Sequence, residues 1–177
     1  MSTRLQYIHI ERWEEGPRLP HDMRYGSCTV TTSPTTILVM GAGQPNVNKA
    51  VEMDINTGRW RYLADMLGRR NGHGCTVVGR KVVVAGGFED MTSEILDLDT
   101  EQWSRAGDLT TWRYRSRLVT LNDRVILLGG EHRDGSSMET VEELDMGQGT
   151  WRRLGVRMKT PRAYFAATVM DRRDLCN

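Results

Sequence analysis

The sequence predicts an all-β repeat protein built from four-stranded antiparallel sheets. Two observations lead to this prediction. A tryptophan returns at intervals of 47, 43 and 48 residues, and an apolar run ending in glycine returns in step with it. The tryptophans are Trp13, Trp60, Trp103 and Trp151. An internal period in the forties indicates a repeat architecture and takes precedence over any isolated motif.

The glycine-ended apolar runs are predicted to be buried strands. They occupy residues 37–42, 82–87 and 125–130, and they consist of aliphatic residues without polar alternation. A strand of this kind is buried on both faces. The recurring glycines are Gly41, Gly86, Gly87, Gly129 and Gly130. Glycine at the end of each run permits a backbone conformation and a close approach that a Cβ atom would forbid.

Residues 70–109 illustrate how the remaining elements of one repeat follow. The apolar run is preceded by a strand over 74–78 and a tight turn, and it continues as a strand over 81–85. A polar loop then leads to a strand over 94–98 and, after a second turn, to a strand over 102–105 that contains the tryptophan. Each repeat therefore supplies one four-stranded meander.

The phased markers divide the chain into six segments. We expect a part-repeat, three complete repeats, one further strand and a tail outside the pattern. The segments are 1–22, 23–66, 67–109, 110–158, 159–170 and 171–177.

Two more markers keep the same phase and make the pattern specific. An aspartate precedes each of the last three tryptophans by six residues, and an arginine recurs as Arg24, Arg70, Arg113 and Arg162. Together these residues resemble the kelch repeat, whose unit forms one blade of a β-propeller. The resemblance implies a partial propeller with three full repeats and part-blades at both ends. The chain departs from the kelch pattern at Ala42, where a second glycine is usual, and at three positions where tyrosine is usual: Met53, Leu96 and Leu144.

Within such a blade the recurring residues have structural roles. The tryptophans are expected to cover the gap between neighbouring blades, because an indole is large and apolar. The phased arginines are expected to donate hydrogen bonds to loop carbonyls near the central channel.

Composition narrows the functional classes. The chain has 177 residues, a formal net charge of +1 and 38% hydrophobic residues. These values are typical of a globular protein and argue against disorder or nucleic-acid binding. No apolar stretch is long enough to span a membrane, and no secretory signal is recognised. Cys28 and Cys75 are interpreted as buried thiols in a reducing compartment, with a disulfide pair as the alternative, so the expected location is the cytoplasm.

No catalytic or metal site is predicted, and no cofactor is expected. The four histidines are scattered without the spacing of metal ligands. An enzyme related to the galactose oxidases, which also have kelch propellers, is the alternative. That activity would require a copper site of tyrosines and histidines that the sequence does not indicate.

The predicted function is therefore protein–protein interaction through the loops on one propeller face. These loops are residues 44–49, 88–93 and 131–140. Trp112 is out of phase and lies beside arginines, a composition typical of binding hot spots, although packing on the rim of its own blade would also explain it. The candidate contact residues are Phe88, Glu89, Trp112, Arg115, His132, Arg133 and Asp134.

The resemblance also implies a finer role. Many kelch proteins are substrate adaptors of cullin ubiquitin ligases and carry a BTB domain ahead of the propeller. This chain would then be the substrate-recognition part of a longer product, with a peptide or a domain as its partner. An open propeller leaves strand edges exposed, which predicts self-association.

Overall fold

A computed structural model describes residues 4–9, 12–20, 23, 25–43 and 47–170, and the strands in these ranges confirm the all-β prediction. Fourteen strands and no helix lie in the described part of the chain. The strands are β1 (Arg4–His9), β2 (Arg12–Arg18), β3 (Cys28–Ser33), β4 (Thr36–Met40), β5 (Ala50–Asp54), β6 (Arg59–Tyr62), β7 (Gly74–Val78), β8 (Lys81–Ala85), β9 (Ser93–Asp97), β10 (Gln102–Ala106), β11 (Arg117–Leu121), β12 (Arg124–Leu128), β13 (Thr140–Asp145) and β14 (Thr150–Arg157).

The strands form three four-stranded antiparallel meanders and one hairpin. Blade 1 is β3–β6, blade 2 is β7–β10 and blade 3 is β11–β14, while β1 and β2 pair with each other. The first strand of each blade lies on the inner side, where β7 contacts both β3 and β11. The three sheets therefore stack side by side around the inner strands, as in part of a propeller.

Strand β8 shows why the apolar runs lack polar alternation. Val82 and Val84 are buried in one cluster with Leu38 and Met40 of blade 1. Val83 and Ala85, between and beside them, belong to a second cluster that includes Leu118 of blade 3. Because successive side chains point to opposite faces of a sheet, a strand between two blades needs apolar residues at every position.

The first glycine after each apolar run touches the next blade. At Gly86 the backbone φ is +69°, and a Cβ atom would lie 2.8 Å from the carbonyl oxygen of Arg113. At Gly129 the corresponding distance, to the carbonyl oxygen of Arg162, is 2.5 Å. Gly41 has the same relation to Arg70, at 2.5 Å. The glycines and arginines keep one phase because each glycine lies against the backbone of the next arginine.

The tryptophans connect neighbouring blades, but they are buried to different extents. The indole N–H of Trp151 donates to Ser93 Oγ at 2.8 Å, and that of Trp103 donates to the carbonyl oxygen of Ala64 at 2.9 Å. Trp151 is 7% exposed, whereas Trp60 and Trp103 are only half-buried. Trp60 and Trp103 are therefore less buried than expected of residues that cover the gap between blades, because outer strands are partly open to solvent. The side chain of Trp13 lies outside the described residues.

The cysteine interpretation is wrong. Cys28 and Cys75 form a disulfide, with their Cα atoms 6.0 Å apart. Their similar positions in successive repeats place them on the adjacent inner strands β3 and β7, within bonding distance of each other. The same observation that suggested two equivalent buried thiols therefore brings the two sulfurs together.

The segment after β14 also differs from the prediction. Residues 159–170 form no strand, although 162–170 resembles the first strand of a further blade. A first strand is held by hydrogen bonds to the second strand of its own blade, and the described residues include no such strand after β14. The segment instead bonds to blade 3, where Arg162 N–H donates to the carbonyl oxygen of Met138 at 3.0 Å.

Candidate partner-binding site

The site is supported by arginines that are completely buried. Arg70 donates from one terminal nitrogen to the carbonyl oxygens of Gly86 (3.0 Å) and Thr92 (2.8 Å). Its other terminal nitrogen donates to the Glu94 carboxylate at 2.7 Å. Glu94 also accepts the backbone N–H groups of Leu67 and Gly68. One arginine thus ties the loop after β8 to the connection that leads into the same blade.

Blade 3 repeats this arrangement. Arg113 donates to the carbonyl oxygens of Gly129 (2.9 Å) and Thr140 (3.2 Å), and it pairs with Glu142. Glu142 accepts the backbone N–H of Thr110 at 2.9 Å. Buried charges are normally paired and hydrogen-bonded in this way, and losing one partner is strongly destabilising.

The expected carbonyl contacts are present for Arg70 and Arg113, whereas Arg24 lies outside the described residues; the carboxylate partners were missed. Glu94 and Glu142 each stand three residues before the phased aspartate of their repeat, where the first repeat has Val51. This constant spacing could have identified the two glutamates from the sequence, but only with the knowledge that their side chains turn toward the arginine.

Above the buried arginines, a belt of backbone hydrogen bonds crosses the blades. Tyr164 N–H donates to the carbonyl oxygen of Arg115 (3.3 Å), Arg115 N–H to that of Gly72 (2.7 Å), and Gly72 N–H to that of Gly26 (2.8 Å). Each belt residue stands two positions after a phased arginine. The belt therefore connects the entrances of blades 1, 2 and 3 with the segment after β14.

All four belt residues have a left-handed backbone. The φ angles are +74° at Gly26, +65° at Gly72, +57° at Arg115 and +56° at Tyr164. Glycine adopts this conformation freely, but for a residue with a Cβ atom it costs roughly 1–2 kcal/mol. Such strain persists only where the surrounding structure imposes it, and it is concentrated at functional sites.

The strained Arg115 contacts two aromatic rings. Its guanidinium carbon is 4.1 Å from the ring centre of Tyr114 and 3.6 Å from that of Tyr164. One terminal nitrogen lies 3.4 Å from the carboxylate of Glu131. Contact with two rings restricts the guanidinium, and its planar group still carries several hydrogen-bond donors.

A cavity of about 300 Å³ opens beside the belt. Its lining combines aromatic and cationic side chains, and it comprises Tyr25, Gly26, Ser27, Asn71, Gly72, His73, Tyr114, Arg115, Arg117 and Tyr164. Both ring nitrogens of His73 are buried and have no hydrogen-bond partner among the described residues. Burial, together with the charges of Arg70 and Arg117, lowers the pKa of His73 to about 3. The imidazole is therefore neutral at physiological pH, and arginine supplies the positive charge of the lining.

Four of the predicted contact residues are linked through Tyr114: Phe88, Trp112 and Arg115 lie against its ring, and Arg133 lies against Trp112. Phe88 is 60% exposed and meets Tyr114 edge-on, with ring centres 5.4 Å apart. Trp112 lies 6.5 Å from Tyr114, and the guanidinium carbon of Arg133 is 5.5 Å from the Trp112 ring centre. Trp112 is only 9% exposed, so it packs against Tyr114 and Arg133 and does not offer an exposed aromatic ring to a partner.

The other three predicted residues lie on the periphery. Glu89 is exposed and faces Arg69, with 3.4 Å between the charged atoms. His132 Nδ1 lies 3.4 Å from the Asp134 carboxylate within their own loop. Sequence reasoning missed Tyr114, Tyr164 and the belt glycines. Their constant offset from the phased arginines could have identified them.

In the described part of the chain, no group of three or more metal-ligating side chains occurs, and no helix is long and apolar enough to cross a membrane.

The chain is similar in sequence to kelch proteins from several animals. It is 28% identical over 142 residues to kelch domain-containing protein 3 of Bos taurus, and the match covers 72% of this chain and 37% of that protein. It is 28% identical over 127 residues to kelch-like protein 40 of Xenopus tropicalis, covering 67% of this chain and 20% of the relative. Beta-scruin of Limulus polyphemus is 24% identical over 111 residues, covering 56% of this chain and 12% of beta-scruin. The matched part of the chain thus spans 37% or less of the length of each of these relatives.

The structural comparison agrees on the fold. The solved structure of YjhT matches with a TM-score of 0.70 and 20% sequence identity, covering 86% of this chain and 57% of YjhT. No protein-family model matches the chain. The repeat markers, the three meanders and these relatives agree: the chain is similar in sequence to kelch-repeat proteins and has the fold of a partial β-propeller.

Proposed function

We propose that this chain is a protein-interaction module that binds a partner at the loop face, the end of the blades formed by connections 86–92, 107–116 and 129–139. The observation that carries the proposal is the conformation of Arg115. Its backbone is held in the left-handed region, and its side chain contacts the rings of Tyr114 and Tyr164. A preorganised cation of this kind loses little side-chain entropy when a ligand binds.

The chemistry of the loop face favours a segment that carries a carboxylate. Arg115 and Arg117 both line the cavity, and Arg117 donates only to the carbonyl oxygen of Ser116 among the contacts described. The contact between Arg115 and Glu131 is long, at 3.4 Å, so an incoming carboxylate can compete for the same donors. Phe88 and Tyr164 are 60% and 63% exposed and supply apolar surface beside the cations.

A random peptide library displayed on phage provides the test. Peptides selected on the wild-type protein should be enriched in Asp and Glu, and Arg115→Ala should weaken their binding at least tenfold, since truncating an arginine hot spot costs about 2 kcal/mol or more. Arg80→Ala is the matched control. Arg80 is also exposed and paired, with Asp99 at 2.9 Å, but it lies in the turn between β7 and β8 at the opposite end of blade 2.

Two results would contradict the proposal. One is selection of peptides without acidic residues. The other is equal binding by the Arg115→Ala and Arg80→Ala proteins, both shown to be folded by circular dichroism.

The finer proposal is that the chain recognises substrates for a cullin ubiquitin ligase in the cytoplasm. It is supported by the resemblance to kelch proteins, many of which are such adaptors. An upstream BTB domain in the full coding sequence would support this role.

A further inference from the structure

The Cys28–Cys75 disulfide joins two blades at their innermost strands. Cys28 opens β3 of blade 1, and Cys75 lies in β7 of blade 2. Cys75 is buried in the cluster between these blades, and Cys28 is half-buried and packs against that cluster. In blade 3, Leu118 occupies the position equivalent to Cys75, and no disulfide joins blades 2 and 3 among the described residues.

The disulfide lies directly below one bond of the belt. Cys28 follows Gly26 by two residues and Cys75 follows Gly72 by three. Gly72 N–H donates to the carbonyl oxygen of Gly26 at 2.8 Å, so the covalent bond and the hydrogen bond hold the same two chain segments together.

The same two segments lie side by side in the lining of the cavity. Residues 25–27 of the blade 1 entrance and residues 71–73 of the blade 2 entrance both line it, and they are joined there by the hydrogen bond between Gly72 and Gly26. Their separation depends on how closely β3 and β7 approach each other.

We propose that Cys28–Cys75 is a redox-sensitive staple that holds two adjacent segments of the cavity lining together at the loop face and thereby regulates partner binding there. The inference rests on the proposed function for its regulatory part. Two-electron reduction by a dithiol breaks the S–S bond: the cysteine sulfurs gain two protons, and the reductant becomes a disulfide. Oxidation by a disulfide such as glutathione disulfide reverses the exchange through a mixed disulfide at Cys28, the less buried of the two cysteines.

Reduction acts on the cavity through the contact between the strands. Two thiols no longer share a covalent bond and separate to van der Waals contact, which moves the ends of β3 and β7 apart. The hydrogen bond from Gly72 to Gly26 is then held by packing alone and opens more often. Belt bonds between other blades keep their supports.

Amide hydrogen exchange on the oxidised and the dithiothreitol-reduced protein tests the staple. Reduction should lower the protection of the Gly72 amide at least tenfold. The internal controls are the amides of Gly87 and Gly130, which donate to the carbonyl oxygens of Arg113 (3.2 Å) and Arg162 (2.8 Å) at the next interfaces. A loss of global stability lowers the protection of all three amides, so the protection of Gly87 and Gly130 should fall at least threefold less than that of Gly72.

Variants separate the staple from other thiol effects. The double variant Cys28→Ala/Cys75→Ala should show the reduced pattern with or without dithiothreitol. Cys176→Ala removes the third cysteine and should respond to dithiothreitol as the wild type does. If the double variant does not fold, the chemical reduction of wild-type protein remains as the test.

Two exchange results would overturn the staple: unchanged protection at Gly72, or an equal loss at Gly72, Gly87 and Gly130, which would indicate general loosening. The regulatory part is tested with the acidic peptides selected on the loop face, whose affinity should fall at least fivefold on reduction. Unchanged affinity despite a local change at Gly72 overturns regulation. Failure of Arg115→Ala to weaken the peptides overturns the proposed function, while the exchange result, which needs no peptide, stands.

Discussion

His73 is a buried base among cations, and its environment can be described atom by atom. Within the described part of the chain neither ring nitrogen has a hydrogen-bond partner; burial, and then the charges of Arg70 and Arg117, disfavour a proton on the ring. The sequence placed this histidine only as an isolated residue three positions after a phased arginine. Its burial depends on the approach of Gly41 from blade 1, where a Cβ atom would lie 2.7 Å from the imidazole. Such a contact between blades leaves no local signal in the sequence.

We predict that His73 makes folding pH-dependent in mildly acidic solution. Its pKa is about 3 in the folded protein and 6.5 ordinarily, so between these values only the unfolded chain binds the extra proton. Stability is therefore full above about pH 6.5 and falls as the pH drops toward 3, with a limiting slope of about 1.4 kcal/mol per pH unit. His73→Leu should remove this part of the slope in urea unfolding measured from pH 7 to 4.

A second histidine provides the control for this prediction. His132 is half-exposed in the loop after β12, and His132→Leu should retain the wild-type slope. An identical pH dependence in the wild type and His73→Leu would refute the assignment of His73 as a buried neutral base.

At the scale of the element, the sequence predicted the strands well and their side-chain partners poorly. The phased apolar runs correspond to β4, β8 and β12, because a strand between two blades must be apolar on both faces. The pairing of Arg113 with Glu142 was not predicted, since it depends on which way a side chain leaves β13. The belt was missed for a related reason: its bonds join residues with a left-handed backbone, and neither Arg115 nor Tyr164 suggests that conformation from its residue type.

The glycine after each apolar run should be required for contact between the blades as well as for its backbone angle. Gly129 has a φ of +53°, and a Cβ atom there would lie 2.5 Å from the carbonyl oxygen of Arg162. Gly135 has a φ of +84° with no atom within 4 Å of that position. Both alanine variants carry backbone strain, but only Gly129→Ala adds a clash, so it should be less stable than Gly135→Ala by about 1–3 kcal/mol.

Urea unfolding of the two glycine variants measures this difference. The comparison cancels the strain common to both positions. Equal destabilisation would mean that the segment around Arg162 moves away without cost, and that the glycine–arginine phase has another origin.

At the scale of the whole molecule, the sequence predicted the partial propeller but not how its parts are held together. The cysteines and the segment 159–170 both differ from expectation because their state depends on neighbours in space. The two sulfurs lie close enough to bond, and the segment has no neighbouring strand in the described residues to pair with.

The edge strand β14 bears on the predicted self-association. It carries Arg152, Arg153 and Arg157, and like charges on an edge oppose pairing with a second copy. Association through this edge is therefore expected only at high ionic strength.

The last prediction concerns how the disulfide stabilises the molecule as a whole. It closes a loop with a sequence separation of 47, and the loss of chain entropy in the unfolded state corresponds to about 4 kcal/mol at 25 °C. Reduction of the wild type, or Cys28→Ala/Cys75→Ala, should lower the unfolding free energy by up to that amount, while Cys176→Ala should leave it unchanged.

This stability effect is distinct from the local opening at Gly72, because a crosslink also restricts the unfolded chain. The denaturant slope m separates the two, since it scales with the surface exposed on unfolding. Removing the crosslink lets the unfolded chain expand, so m should rise in the reduced protein. An unchanged m together with a loss below about 1 kcal/mol would place the whole effect of the disulfide in the folded state, where only the contact between β3 and β7 could account for it.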